Sequence, residues 1–351
     1  MLKEINEIVV KHGLKLKKKE QADDETEKGL AVKIDSYAVE SNVHFPTDYN
    51  LLWDAARKTL SLTKQLLAEH PGIKGWRKID QLLATVKSRF DLVRRSSQRG
   101  GVNRDSKMKK ATRKYLVTTR QLSKKLHLLE GEISREEYKE VKWIEWANYR
   151  QMLDKHIDLL NRRVMKKEKI PHKEKVFSIF ETYTEWISKG KANRAVELGL
   201  KAAIATEKSG FILMHSVMEK QQDVDIAVPM TKELNEKYDI GSISFDKGFW
   251  SKENYKELEA TKIFLTMPKK GKLSKAEYER EHDTEFIALR KAHSAVESNI
   301  NMLEHHGVNR CPDHGIASFK RYVALGVLGY NLHRLGNLLL EQDRVKKRQA
   351  A

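Results

Sequence analysis

Positions 30–43 carry the run Leu-Ala-Val-Lys-Ile-Asp-Ser-Tyr-Ala-Val-Glu-Ser-Asn-Val. Val32, Ile34, Val39 and Val43 are β-branched and the run holds neither Gly nor Pro, so it predicts a β-strand. A carboxylate, Asp35, lies near its middle. His44-Phe45-Pro46-Thr47-Asp48 breaks the strand, and Thr47 or Asp48 is placed to cap a helix running to about His70, where Pro71-Gly72 stops it. Upstream, residues 2–12 predict a short helix ending at Gly13, followed by a charged linker to Gly29.

Downstream the pattern is first helical, then mixed. Two basic helices are expected near 75–95 and 105–129, separated by the turn-rich Ser96 to Asn103. Ser134-Arg135-Glu136-Glu137 forms a capping box for a long helix in which Trp143, Trp146, Tyr149, Met152, Leu153, Ile157 and Leu160 recur at helical spacing, as a core stripe does. After Pro171 the period changes. Val176–Phe180, Ala195–Ala205 and Gly210–Met218 have strand composition, the last two joined by a hairpin-like turn at Glu207–Gly210. A helix over Pro229–Tyr238, a strand over Ile240–Phe245, a helix over Lys252–Ala260, a strand over Lys262–Met267 and helices capped at Ser274 and running from Thr284 to about Glu304 complete an α/β order. The expected domains are a helix and linker (1–29), a first strand (30–46), a helical basic insertion (47–170), the remainder of the α/β domain (171–340) and a basic tail (341–351).

The chain has 351 residues, 40% of them apolar, and a formal net charge of +18. That composition fits a folded, basic protein and excludes a disordered one. The charge is concentrated: between Leu51 and Leu129 twenty basic residues face five acidic ones, leaving about +15 in that segment. The cluster Arg94, Arg95, Arg99, Arg104, Lys107, Lys109, Lys110, Arg113, Lys114 points to a polyanion, since each cation near a phosphate releases counterions; a solvated helical face is the plainer alternative. One cysteine, Cys311, precludes an internal disulfide. The first residues lack a signal peptide's apolar region, and no stretch of about 18 apolar residues is present, so an intracellular chain that does not span a membrane is expected.

Three carboxylates stand out. Asp35 lies inside an apolar strand, Asp246 follows the strand Ile243-Ser244-Phe245, and Glu297 lies on a late helix. Carboxylates at strand ends face the crevice in which open α/β sheets bind ligands, and two or three together make a hard oxygen site for Mg²⁺. Singly, each has a plainer reading: a β-turn at Asp246-Lys247-Gly248, a polar residue on an edge strand, a solvent-facing helix residue.

Taken in order, Ile34-Asp35-Ser36, His44-Phe45-Pro46-Thr47-Asp48, Val196-Glu197-Leu198-Gly199, Gly210-Phe211-Ile212-Leu213, Ser244-Phe245-Asp246-Lys247-Gly248-Phe249, Ala295-Val296-Glu297-Ser298, Phe319-Lys320-Arg321-Tyr322 and Asn331-Leu332-His333-Arg334-Leu335-Gly336 resemble the DDE-class insertion-sequence transposases, most closely the ISNCY group. The resemblance covers about Leu30 to Gly336. It implies a ribonuclease H-like α/β fold with a mixed five-stranded sheet, interrupted after the first strand by the helical basic insertion. It also implies that Asp35, Asp246 and Glu297 bind two Mg²⁺ or Mn²⁺ ions, which activate water to cut a strand at the element's end and then activate the freed 3′-hydroxyl to attack target DNA. The implied partner is double-stranded DNA, both terminal inverted repeats and target, with a homodimer in the synaptic complex, in the cytoplasm of a bacterial or archaeal cell and associated with the nucleoid. The alternatives are a non-catalytic basic DNA-binding protein or decayed fragment, and a metal-dependent nuclease without strand transfer.

The sequence also departs from the family pattern. His293 stands four residues before Glu297, where many related transposases carry Arg, and Glu304 seven after it, where they carry Lys, so the groups on which hairpin-forming chemistry leans differ here. No helix-turn-helix is evident ahead of Leu30. Outside the basic block, Lys189, Lys191 and Arg194 suit phosphate contacts near the site or a solvated turn, and Lys247, Arg310, Lys320 and Arg321 are further candidates for DNA. His305, His306, Cys311 and His314 match no common zinc spacing. Gly190-Lys191 and Gly271-Lys272 lack a Walker loop's glycines. Trp250 suits either base stacking or the core.

Overall fold

The computed structural model describes residues 1–20, 29–98, 100–132, 140–188 and 196–349. Arg99, Lys189, Lys191, Arg194 and the capping box at Ser134 lie outside them. The chain divides into two compact units, one of Met1–Val43 with Tyr183–Ala351, the other of His44–Thr182.

The first unit opens with α1 (Leu2–Glu20) and β1 (Leu30–Ser41). Gly13 does not end α1. A Cβ at that position would meet the Phe211 ring at 2.3 Å, so glycine here is a notch that lets the helix lie against an aromatic side chain.

The second unit holds α2 (Asp48–Glu69), α3 (Ile79–Gln98), α4 (Arg104–Glu132) and α5 (Glu140–Leu160). Thr47 caps α2, its hydroxyl accepting the Asn50 amide at 3.2 Å. Leu52, Ala55, Leu60, Val86, Tyr115, Leu126, Leu153 and Leu160 build a core of their own. Trp143 and Trp146 belong to it, with the Trp146 indole donating to Thr63 Oγ1 at 2.9 Å, so the aromatic stripe is core. Val176–Phe180 is irregular rather than a strand, because Val176 and Ile179 turn their apolar side chains into this same helical core.

The chain continues in the first unit with β2 (Glu185–Ser188), β3 (Val196–Thr206), β4 (Ile212–Met218), α6 (Asp223–Lys237), β5 (Ile240–Phe245), α7 (Lys252–Glu259), β6 (Phe264–Thr266), α8 (Lys275–Glu281), α9 (Thr284–His293), α10 (Ala295–Leu303), β7 (Arg310–Cys311) and α11 (Ile316–Gln349). α6 starts six residues before Pro229, at a capping box closed by Gln222 and Asp225, and Pro229 falls inside it. The helix expected over 284–304 is two helices, separated at Ser294, whose hydroxyl donates to the Lys291 carbonyl at 2.9 Å.

Among the described residues seven strands form one mixed sheet of five lanes. β3 runs antiparallel to β1, and its outer edge is shared by β2, along Val196–Gly199, and β4, along Lys201–Thr206. On the other side β1 pairs in parallel with β5 over Leu30–Ile34 and with β7 at Glu40–Ser41, and β6 lies beyond β5. This order, with the first strand central and the helical unit following it, is ribonuclease H-like. Seven strands replace the expected five because β2 and β7 extend lanes that β4 and β5 already occupy. Gly199 allows the closest approach: a Cβ there would overlap the Val39 carbonyl oxygen at 1.9 Å. α6 and α7 cover one face of the sheet, over Val32, Ile34 and Ala203. α10 and α11 cover the other, where Val296, Ile300, Phe319 and Val323 pack on Tyr37, Val39 and Ile204.

Candidate active site

Strand register brings the first two carboxylates together. Ile34 pairs with Phe245 in the parallel ladder, so the next residues on each strand, Asp35 and Asp246, are neighbours at the point where β5 ends. Asp246 is the extended N-cap of a 3₁₀ turn over Lys247–Phe249, whose buried Phe249 pins the turn to the core. Glu297 reaches the same crevice from the first turn of α10, because Val296 and Ile300 anchor that helix on the face of β1 that also presents Tyr37 and Val39. Side chains alternate along a strand, so Asp35 shares that face.

Electrostatics registers the convergence. Burial pushes the Asp35 carboxyl up to about 6; the Ser36 amide, donating to Oδ1 at 2.7 Å, opposes this, and the charges of Asp246, Asp223 and Glu297 raise it further. Asp223, the first residue of α6, is a fourth carboxylate that sequence reasoning missed. Its Oδ1 accepts from Ser36 Oγ at 2.6 Å and its Oδ2 from Lys201 Nζ at 2.7 Å. The only signal for it was Asp223-Val224-Asp225, one acid more than the capping box of α6 requires.

One basic group stands beside the acids, and a second lies on β1 toward Glu207. His293, at the end of α9, meets the Ser244 hydroxyl through Nδ1 at 2.9 Å while its Nε2 is buried without a partner. Burial brings this imidazole down to about 4, so it is neutral at pH 7 although Asp246 favours its charged form. Lys33, buried on β1, has its ammonium pulled below the ordinary range, chiefly by burial.

The four acids are hard oxygen donors, a set that fits Mg²⁺ or Mn²⁺, and Asp35, raised chiefly by burial and further by its acidic neighbours, is a carboxylate whose charged form a divalent cation would favour. Among the described residues no three His, Cys, Asp or Glu side chains are gathered closely enough to enclose an ion. Asp246 and Glu297 are exposed, whereas Asp35 is half-buried.

Residues 162–332 match the family model of the transposase DDE domain. This stretch of the chain is a transposase DDE domain. The match includes Asp246 and Glu297 and begins after Asp35, which lies on the far side of the helical unit in sequence. No curated protein and no solved structure matches the chain significantly.

The other sequence candidates fall into two groups. Arg94, Arg95, Arg104, Lys107, Lys110, Arg113 and Lys114 are exposed on α3 and α4, and Lys109 is half-buried. In the DDE-bearing unit Lys247 is exposed after β5, Arg310 donates to Asn42 at 2.8 Å, Lys320 pairs with Glu219 and Arg321 donates to Ser318 at 3.2 Å. Trp250 packs on the core beside β5, so it is a structural aromatic. Cys311 is buried on β7, and the histidines near it form no ligand cluster among the described residues. No helix among the described residues is long and apolar enough to cross a membrane.

Proposed function

We propose that this chain is the transposase of an insertion sequence, which cuts double-stranded DNA at the element's ends and joins the freed 3′-hydroxyl to target DNA. The observation that carries this reading is that the half-buried Asp35, outside the matched stretch, is brought by strand register beside Asp246, which lies within the transposase DDE domain. Asp35, Asp246 and Glu297 are the residues that would hold two Mg²⁺ or Mn²⁺ ions, which when bound supply positive charge to the attacking and leaving oxygens of an in-line phosphoryl displacement. The protein's part is position. A central strand, a strand end and a helix packed on the sheet fix the three carboxylates, and the Ser36 amide orients Asp35. Lys247, Arg310, Lys320 and Arg321 are suited to phosphates around the crevice, and the basic residues of α3 and α4 to the DNA backbone. Joining two ends calls for two copies of the chain in one complex.

Asp246→Asn keeps the size of the side chain and removes its charge. It is expected to abolish Mg²⁺-dependent cleavage of end DNA, with DNA binding unchanged or slightly tighter; cleavage at the wild-type rate would remove the carboxylate assignment. The neutral His293, where relatives carry a permanent cation, favours a second reading, a metal-dependent nuclease without strand transfer. Pre-cut ends incubated with plasmid separate the two: joined products support the transposase, and hydrolysis alone supports the nuclease.

A further inference from the structure

The ladder that fixes β1 lapses where the site lies. On the edge facing β5, pairing ends at Ile34 and resumes with β7 only at Glu40, so among the described residues no strand pairs with 35–39 on that side. Asp35 and Ser36 open this gap. Ser36 spends its amide on the Asp35 carboxylate at 2.7 Å and its hydroxyl on Asp223 at 2.6 Å. Asp223 is in turn tied to Lys201 at 2.7 Å, which stands on β3 opposite Ala38. The connection therefore runs from β3 through Lys201, Asp223 and Ser36 to Asp35.

Asp223 is not needed for the cap of the helix that it opens. The capping box of α6 is closed by Gln222 and Asp225, which leaves the Asp223 carboxylate to the crevice. Space is kept for it as well: a Cβ on Gly248 would lie 3.3 Å from Asp223 Oδ2 and 3.9 Å from Asp246 Oδ2, between the two acids. A fourth anion costs free energy beside three others, and the pairing with Lys201 offsets part of that cost.

We propose that Asp223 is a positioning residue for Asp35: braced by Lys201, it holds Ser36, whose amide orients the Asp35 carboxylate for a divalent cation. The inference rests on the reading of Asp35, Asp246 and Glu297 as cation-holding residues. Partners that orient a ligand from behind are typically worth ~10- to 100-fold in metal affinity.

The test is Mn²⁺ binding to the full chain, measured by the loss of free Mn²⁺ signal in electron paramagnetic resonance, which needs no DNA and no turnover. Asp223→Ala is expected to weaken binding by ~10- to 100-fold. Ser36→Ala, which deletes the hydroxyl and keeps the amide, should weaken it in the same sense, and the double variant should be no worse than Asp223→Ala alone. Asp223→Asn, which can still accept from Ser36 and guards against a folding defect in the alanine variant, should recover part of the affinity. Wild-type Mn²⁺ binding by Asp223→Ala, with binding lost in Asp246→Asn, would overturn the inference and leave the carboxylate site standing. A loss in Asp223→Ala with none in Ser36→Ala would also overturn it, because Asp223 would then act without Ser36. Wild-type binding by Asp246→Asn would bring down the site reading itself and the inference with it.

Discussion

His156 illustrates how much one side chain can determine. It is fully buried on α5, neither ring nitrogen has a partner, and burial holds the imidazole down at about 4. The unfolded chain takes up this proton near pH 6.5 and the folded chain only near 4, so the sign is fixed: stability is intact above about 6.5 and is lost as the pH falls toward 4. Between pH 7 and pH 5 the loss from this residue is about 2 kcal/mol. Four of the six tryptophans, Trp53, Trp76, Trp143 and Trp146, belong to the helical unit, so urea unfolding followed by their fluorescence reports on it. In His156→Leu the midpoint should shift less between the two pH values; an unchanged shift would show that other groups carry the acid sensitivity. His215 on β4, also held at about 4 by burial, is its counterpart in the DDE-bearing unit.

At the scale of elements, α11 fastens the β3–β4 hairpin. Asn331 is fully buried, accepts the Ile212 amide at 2.9 Å and donates to the Ile212 carbonyl at 2.8 Å, while Arg334 donates to the Ser209 carbonyl at 2.7 Å. Asn331→Ala leaves the Ile212 amide without its acceptor, while the Ile212 carbonyl keeps the Asn6 side-chain amide at 3.3 Å, and should cost about 1–3 kcal/mol, seen as a lower denaturation midpoint. A midpoint within error of wild type would mean that the hairpin holds without the clamp. The Asn331–Gly336 motif that resembles the family is thus accounted for by structure. Much else at this scale was legible in the sequence. β1 and Asp35 were visible because β-branched residues surround a charge, β5 and Asp246 because an apolar strand runs directly into one, and α2 because Thr47 and Pro71-Gly72 bracket an apolar stripe. What escaped depended on distant partners. Gly13 has the sequence of a helix stop, and only the Phe211 ring, far along the chain, makes it a packing notch. Pro229 suggests a helix start, yet the Gln222 capping box outweighs it. Asp223 at a helix N-terminus passes for an ordinary dipole partner until Ser36 and Lys201 are beside it.

For the whole molecule, charge and chemistry belong to different units. About +15 of the net +18 lies between Leu51 and Leu129, within the helical unit, whereas the carboxylates lie in the other. Neutralising Arg94, Arg95, Lys109 and Lys110 together is expected to weaken binding to DNA of any sequence and to reduce the slope of log affinity against log salt by up to about 3–4, at roughly 0.9 per phosphate contact. An unchanged slope in a salt titration would place the DNA contacts elsewhere. The sheet order has a temporal consequence too. β1 leaves the ribosome before the helical unit, but β3, its nearest partner, begins only at Val196 and β5 at Ile240. At ~5–20 residues per second, β1 waits on the order of ten seconds or more with both edges unsatisfied while the helical unit, whose core is self-contained, emerges and can fold. The strand that bears Asp35 is therefore exposed in the nascent chain to pairing with the wrong neighbour, and the acidic crevice is completed only once Glu297 has been made.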